Sequence, residues 1–155
     1  MPKHTVLVIE DEVPLRRFLR VMLETQEYRV LEAANAAKGL EMAASERPDL
    51  LILDLGLPDT HGVEVIKSVR QWSSMPIIVV SARGKEYEKV AALDEGADDY
   101  LTKPFGVGEL LARMRVAIRH VIRSARPDSD PVFVARAVSS IILPRARDRP
   151  PIARL

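Results

Sequence analysis

Apolar residues recur from Thr5 to about Arg123 in two alternating rhythms. Short unbroken runs, Val6-Leu7-Val8-Ile9, Leu50-Leu51-Ile52-Leu53 and Ile77-Ile78-Val79-Val80, are each followed by a stretch with apolar positions three and four apart. An unbroken run suits a strand buried on both faces, and the wider spacing suits a helix with one buried stripe. Their alternation predicts a parallel sheet covered by helices on both sides. A weaker strand is expected at Arg29 to Ala33 and a last one at Asp99 to Lys103, which makes (βα)5.

The helices can be placed from their stripes and stop signals. The first should begin near Glu12, with Pro14 in its opening turn. Leu15, Phe18, Leu19, Met22 and Leu23 are expected on its inner face, leaving Arg16, Arg17 and Arg20 for water. A second runs from about Asn35 to Ser45, before Pro48. A third, about Val63 to Gln71, turns Val65, Ile66 and Val69 inward. A fourth begins near Lys85 and ends at Gly96. The fifth, about Val107 to Arg123, buries Leu110, Leu111, Met114, Ile118 and Val121, with Arg113, Arg115 and Arg119 outside.

Residues 124–155 have a different character. They hold five of the eleven prolines, none of the seven glycines, and six arginines against three aspartates. This is the composition of a linker or tail, too short to close a core even with apolar runs at Val132-Phe133-Val134 and Ile141-Ile142-Leu143. The expected organisation is a globular unit over residues 1–123 and a non-globular tail over 124–155.

Composition narrows the function classes. The 23 basic and 22 acidic residues of the 155 nearly cancel, so no broad field favours nucleic acid or a membrane. The absence of cysteine excludes disulfides and thiolate metal sites. The polar start Met1-Pro2-Lys3-His4 does not read as a secretion signal, and no apolar run reaches the length of a membrane span. A cytoplasmic protein is expected.

The chemistry gathers where the apolar runs end. They lead into Glu10-Asp11, Asp54, Ser81 and Lys103-Pro104, and an open α/β sheet keeps its site at that edge. In a doubly wound sheet of order 2-1-3-4-5, strands 1 and 3 are neighbours, so Glu10 and Asp11 approach Asp54. Three carboxylates in one crevice call for a cation, and an all-oxygen set suits Mg2+. Asp54 ends the central strand and is the nucleophile candidate, since a carboxylate can take a phosphoryl group as an acyl phosphate. Lys103 and the Ser81 hydroxyl are placed to hold the transferred oxygens. The turn at Lys103-Pro104 favours a cis peptide. Singly, each residue has an ordinary use as a cap, a turn or core; only the ordered set of acid, acid, hydroxyl and amine on strands 1, 3, 4 and 5 points to chemistry.

The motifs Val-Ile-Glu-Asp-Glu, Asp54-Leu-Gly-Leu-Pro58-Asp-Thr-His-Gly62, Val-Ser-Ala and Leu-Thr-Lys-Pro-Phe resemble the receiver domain of two-component response regulators over residues 4–123. That resemblance implies a flavodoxin-like fold, Asp54 as phospho-acceptor, and Glu10, Asp11, Asp54 and the Gly56 carbonyl as Mg2+ ligands. It also implies Lys103 and Ser81 as phosphate contacts, Ser81 and Tyr100 as the switch pair, and a sensor histidine kinase as donor. Gly-Ala-Asp98-Asp99-Tyr100-Leu101 is similar to the subfamily that carries a winged-helix DNA-binding domain. Further motifs are similar to that subfamily's regulators of potassium-uptake genes.

In that subfamily active receivers pair through the fourth helix, fifth strand and fifth helix. Lys89, Asp98, Asp99, Glu109, Arg113 and Arg119 carry charges suited to such a homodimer. The tail would be a remnant of, or replacement for, the winged helix, so sequence-specific DNA binding is not expected of this chain alone. Two other classes stay open. One is a binding module that works by protein contacts without carrying phosphate. The other is a haloacid-dehalogenase-type phosphatase, which wants a second Asp where this chain has Gly56.

Overall fold

A computed structural model describes residues 4–82 and 86–124. In chain order the elements are β1 His4–Ile9, α1 Val13–Thr25, β2 Tyr28–Ala33, α2 Ala36–Glu46, β3 Leu50–Asp54, α3 Gly62–Arg70, β4 Ile77–Ala82, α4 Glu86–Asp94, β5 Asp99–Lys103 and α5 Val107–Ser124. Every strand pair is parallel, and the order across the sheet is β2-β1-β3-β4-β5. This is the expected flavodoxin-like arrangement, with element ends within one or two residues of those read from the sequence. The tail from residue 125, its runs at 132–134 and 141–143, and Lys85 lie outside the described residues.

Side chains alternate across the pleat, which divides the strand residues between two cores. Leu7, Ile9, Leu51, Leu53, Ile77 and Val79 pack with residues of α2, α3 and α4 on one side. Val6, Val8, Leu50, Ile52, Ile78 and Val80 pack with α1 and α5 on the other. All five residues of β3 are buried, which explains its unbroken apolar run. At Gly39 an added Cβ would fall 2.3 Å from the Ile9 side chain, so glycine is what lets α2 lie directly on β1.

Local signals start and stop the helices. Pro14 stands in the first turn of α1, where its missing N–H has no partner to lose. Asn35 caps α2, its side chain accepting from the Lys38 N–H at 2.8 Å. Gly96, at φ +119°, follows the end of α4 in a conformation that glycine tolerates.

Three expectations about burial are corrected. Phe18 is 49% exposed, because Leu19 and Leu23, one turn apart, take the face of α1 that meets the sheet. Arg16 is not left to water: Nη1 donates to the Glu10 carbonyl at 2.8 Å and Nε to Glu32 at 3.2 Å. Val121 is 42% exposed. The 18 residues of α5 extend about 27 Å, while the five-residue β5 beneath covers about 17 Å, so its last turns outrun the sheet.

Candidate functional site

Parallel strands bring their C-terminal ends to one edge, and register then selects the neighbours. Ile9 lies beside Leu53, so Glu10 follows next to Asp54. Asp54 itself lies beside Val80, Ser81 beside Thr102 and Ala82 beside Lys103. The four strand endings therefore meet. The Lys103-Pro104 peptide is cis, as the sequence suggested.

Glu10, Asp54 and Ser81 are the buried polar and charged residues among those described, at 1%, 6% and 4% exposure. Glu10 is held at both oxygens: Oε2 accepts from the Glu12 N–H at 3.0 Å and Oε1 from Lys103 Nζ at 3.2 Å. Lys103 Nζ also lies 3.5 Å from Asp54 Oδ1 and 3.6 Å from Glu12 Oε1. Burial pushes the Glu10 carboxyl up to about 7; the Asp54 charge adds to this, and the Glu12 N–H and Lys103 oppose it. Burial pulls Lys103 down, but the charges of Asp54 and Glu10 outweigh it and leave the amine above its ordinary value. One ammonium thus faces three carboxylates.

The donor set fits a hard divalent cation. Glu10, Asp11 and Asp54 each offer an oxygen, all within 4.8 Å of one another, with no sulfur or imidazole among them. Burial is the main cause of the raised Glu10 pKa, with the Asp54 charge adding to it, so the pocket is a desolvated one.

The loop after Asp54 is folded tightly against the site. Gly56 and His61 form an antiparallel bridge, and Gly62 N–H donates to the Leu55 carbonyl at 2.8 Å. A Cβ on Gly62 would fall 2.6 Å from Leu55 Cα and 2.9 Å from the Asp54 carbonyl oxygen. Glycine therefore lets α3 begin directly on the peptide of the nucleophile candidate. Asp59 reaches out of this loop to cap α2, accepting from the Ala36 and Ala37 N–H groups at 2.9 Å each, bonds that hold its carboxyl below the ordinary value.

The proposed pairing residues fall into separate groups. Lys89 Nζ lies 5.8 Å from the centre of the half-buried Tyr100 ring. Arg113 pairs within the chain, with Asp99 at 2.9 Å and Glu109 at 3.1 Å. Asp98 turns towards its own fold, accepting from the Ile77 N–H at 2.7 Å and Arg70 at 3.0 Å. Arg119 lies on another flank of α5, beside His4 and Tyr28, while His120 lines the groove that holds Asp98, Asp99 and Arg113. Sequence reasoning passed over His120, Asp59 and the contact of His61 with Glu88, and it left Arg16 to water. Asp59 and His61 left a trace, as polar residues just before a helix; the other two depend on which face each helix turns inward.

Residues 6–115 match the family described as Response regulator receiver domain. The KDP operon transcriptional regulatory protein KdpE of Escherichia coli is 58% identical over 123 residues, which is 79% of this chain and 55% of that protein. The transcriptional regulatory protein KdpE of Mycobacterium tuberculosis is 52% identical over 114 residues, 74% of this chain and 50% of that protein. The chain spans about half the length of these curated relatives. Among solved structures, a CheY-like response regulator receiver domain protein from Methanospirillum hungatei superposes with a TM-score of 0.75 at 26% identity, over 79% of this chain and 98% of its own.

Proposed function

Since the chain belongs to the response regulator receiver domain family, we propose that it is a phosphorylation-driven switch with Asp54 as phospho-acceptor. The phosphorus–oxygen bond to Asp54 forms as the phosphorus–nitrogen bond to a histidine of a sensor kinase breaks and the imidazole departs. Lys103 and Ser81 hold equatorial oxygens of the transferred group. Glu10, Asp11, Asp54 and the Gly56 carbonyl hold Mg2+, which offsets the charge of the acids and of the incoming phosphoryl oxygens. The observation that carries this reading is the convergence of three carboxylates and Lys103 on one strand edge.

In this reading residues 1–123 are the receiver unit and 124–155 lie outside it. Ser81 and Tyr100 relay the modification to α4, β5 and α5, where Lys89, Asp98, Asp99, Glu109, Arg113 and Arg119 support a homodimer. The only phosphoryl chemistry is self-directed, namely uptake and hydrolysis. Identity with the two KdpE proteins supports a KdpE-like regulatory role in the cytoplasm. Among the described residues no helix is long and apolar enough to cross a membrane.

Incubation with acetyl phosphate and Mg2+ tests the site, read by intact mass. One phosphoryl group per chain is expected in the parent protein and none in Asp54→Asn. Equal labelling of the two would remove Asp54 from its role.

A further inference from the structure

The side chain of His61 joins the loop that carries Gly56 to α4. The His61 backbone bridges Gly56. Its Nδ1 accepts from the Val63 N–H at 3.2 Å, which caps α3, and its Nε2 lies 3.0 Å from Glu88 Oε2. A ring that accepts at Nδ1 carries its proton on Nε2, so the ring donates to the carboxylate. Glu88 is only 15% exposed. The following residue, Lys89, is the one placed over the Tyr100 ring.

Resting on the phospho-acceptor reading above, we propose that His61 is a positioning residue tying the Mg2+-binding loop to α4. Filling the acidic pocket fixes the Gly56 segment, the bridge fixes His61, and the imidazole restrains Glu88 and the helix that bears it. The coupling must run both ways, so a restrained α4 also favours a loop set for the ion. Mg2+ alone isolates this route, because without a phosphoryl group nothing draws on Ser81.

The test is hydrogen exchange across α4 with and without Mg2+, together with Mg2+ affinity by calorimetry. The proteins are the full-length parent, His61→Asn and Glu88→Ala. Asn keeps an oxygen to cap Val63 but is too short to reach Glu88, and Glu88→Ala leaves the cap untouched. In the parent, Mg2+ should slow α4 exchange roughly threefold to tenfold, the span of one net hydrogen bond. In either variant that response should vanish, and Mg2+ affinity should fall by a similar factor. The double variant should lose no more than either single one. Parent-like responses in the variants, or additive losses, overturn the proposal. A parent that neither binds Mg2+ nor takes phosphate at Asp54 fails the phospho-acceptor reading instead.

Discussion

Helices α3 and α4 have nine residues each and flank the same side of the sheet, yet they hold to it very differently. In α3, Gly62, Val63, Val65, Ile66 and Val69 are all buried. In α4 only Ala92 is buried, while Tyr87, Val90 and Leu93 are 73%, 49% and 39% exposed. Helix α3 begins against the Asp54 peptide, whereas α4 is tethered by polar contacts, Glu88 to His61 and Lys89 over Tyr100. A helix with few buried apolar contacts opens and shifts at low cost. The contrast shows one sheet carrying a firmly anchored helix against the Asp54 peptide and a loosely held one beside it.

Ile66→Ala tests the fixed half and should have the largest effect. Ile66 is fully buried, so the variant should lose about 2 to 5 kcal/mol in urea unfolding. A loss no larger than that of an α4 surface change would erase the contrast.

The second test asks what the charged pocket beside α3 contributes, through Glu10→Gln measured across pH. Glu10 holds its proton up to about 7 in the fold, against 4.5 as its ordinary value. The folded chain therefore binds more protons between those values, and stability should fall as pH rises from about 4.5 to 7, then level off. Glu10→Gln should remove that slope, on the order of 1 to 3 kcal/mol. An identical slope in both proteins would place the buried charge elsewhere.

The smallest effect belongs to Val90→Ala. Val90 is 49% exposed on α4, so stability should change by about 0.5 kcal/mol or less. A large loss would mean that α4 is anchored after all.

The strand runs and the four chemical endings were legible because each depends on local pattern, and the strand order followed from the fold class that their alternation implies. Continuous apolar runs announce buried strands, and Gly96 announces a helix end. Phe18 and Arg16 were not legible. Both sit on α1, where a rotation of one position exchanges the inward face, and only packing against β1 and β2 selects Leu19 and Leu23. Val121 was misplaced because a stripe does not say where the sheet beneath it stops. Asp59 capping a helix 23 positions earlier is a long-range pairing that no local spacing encodes.

By itself the sequence determined the alternating elements, the receiver family and the set of groups at the strand ends, since period and residue chemistry are local properties of the chain. The tertiary structure decided what those groups do to one another. Register placed Glu10 beside Asp54, burial raised its pKa, and Lys103 came within reach of both. It also decided that α3 is anchored, that α4 is tethered, and that His61 joins them, because helix rotation and loop closure are settled only when the layers pack.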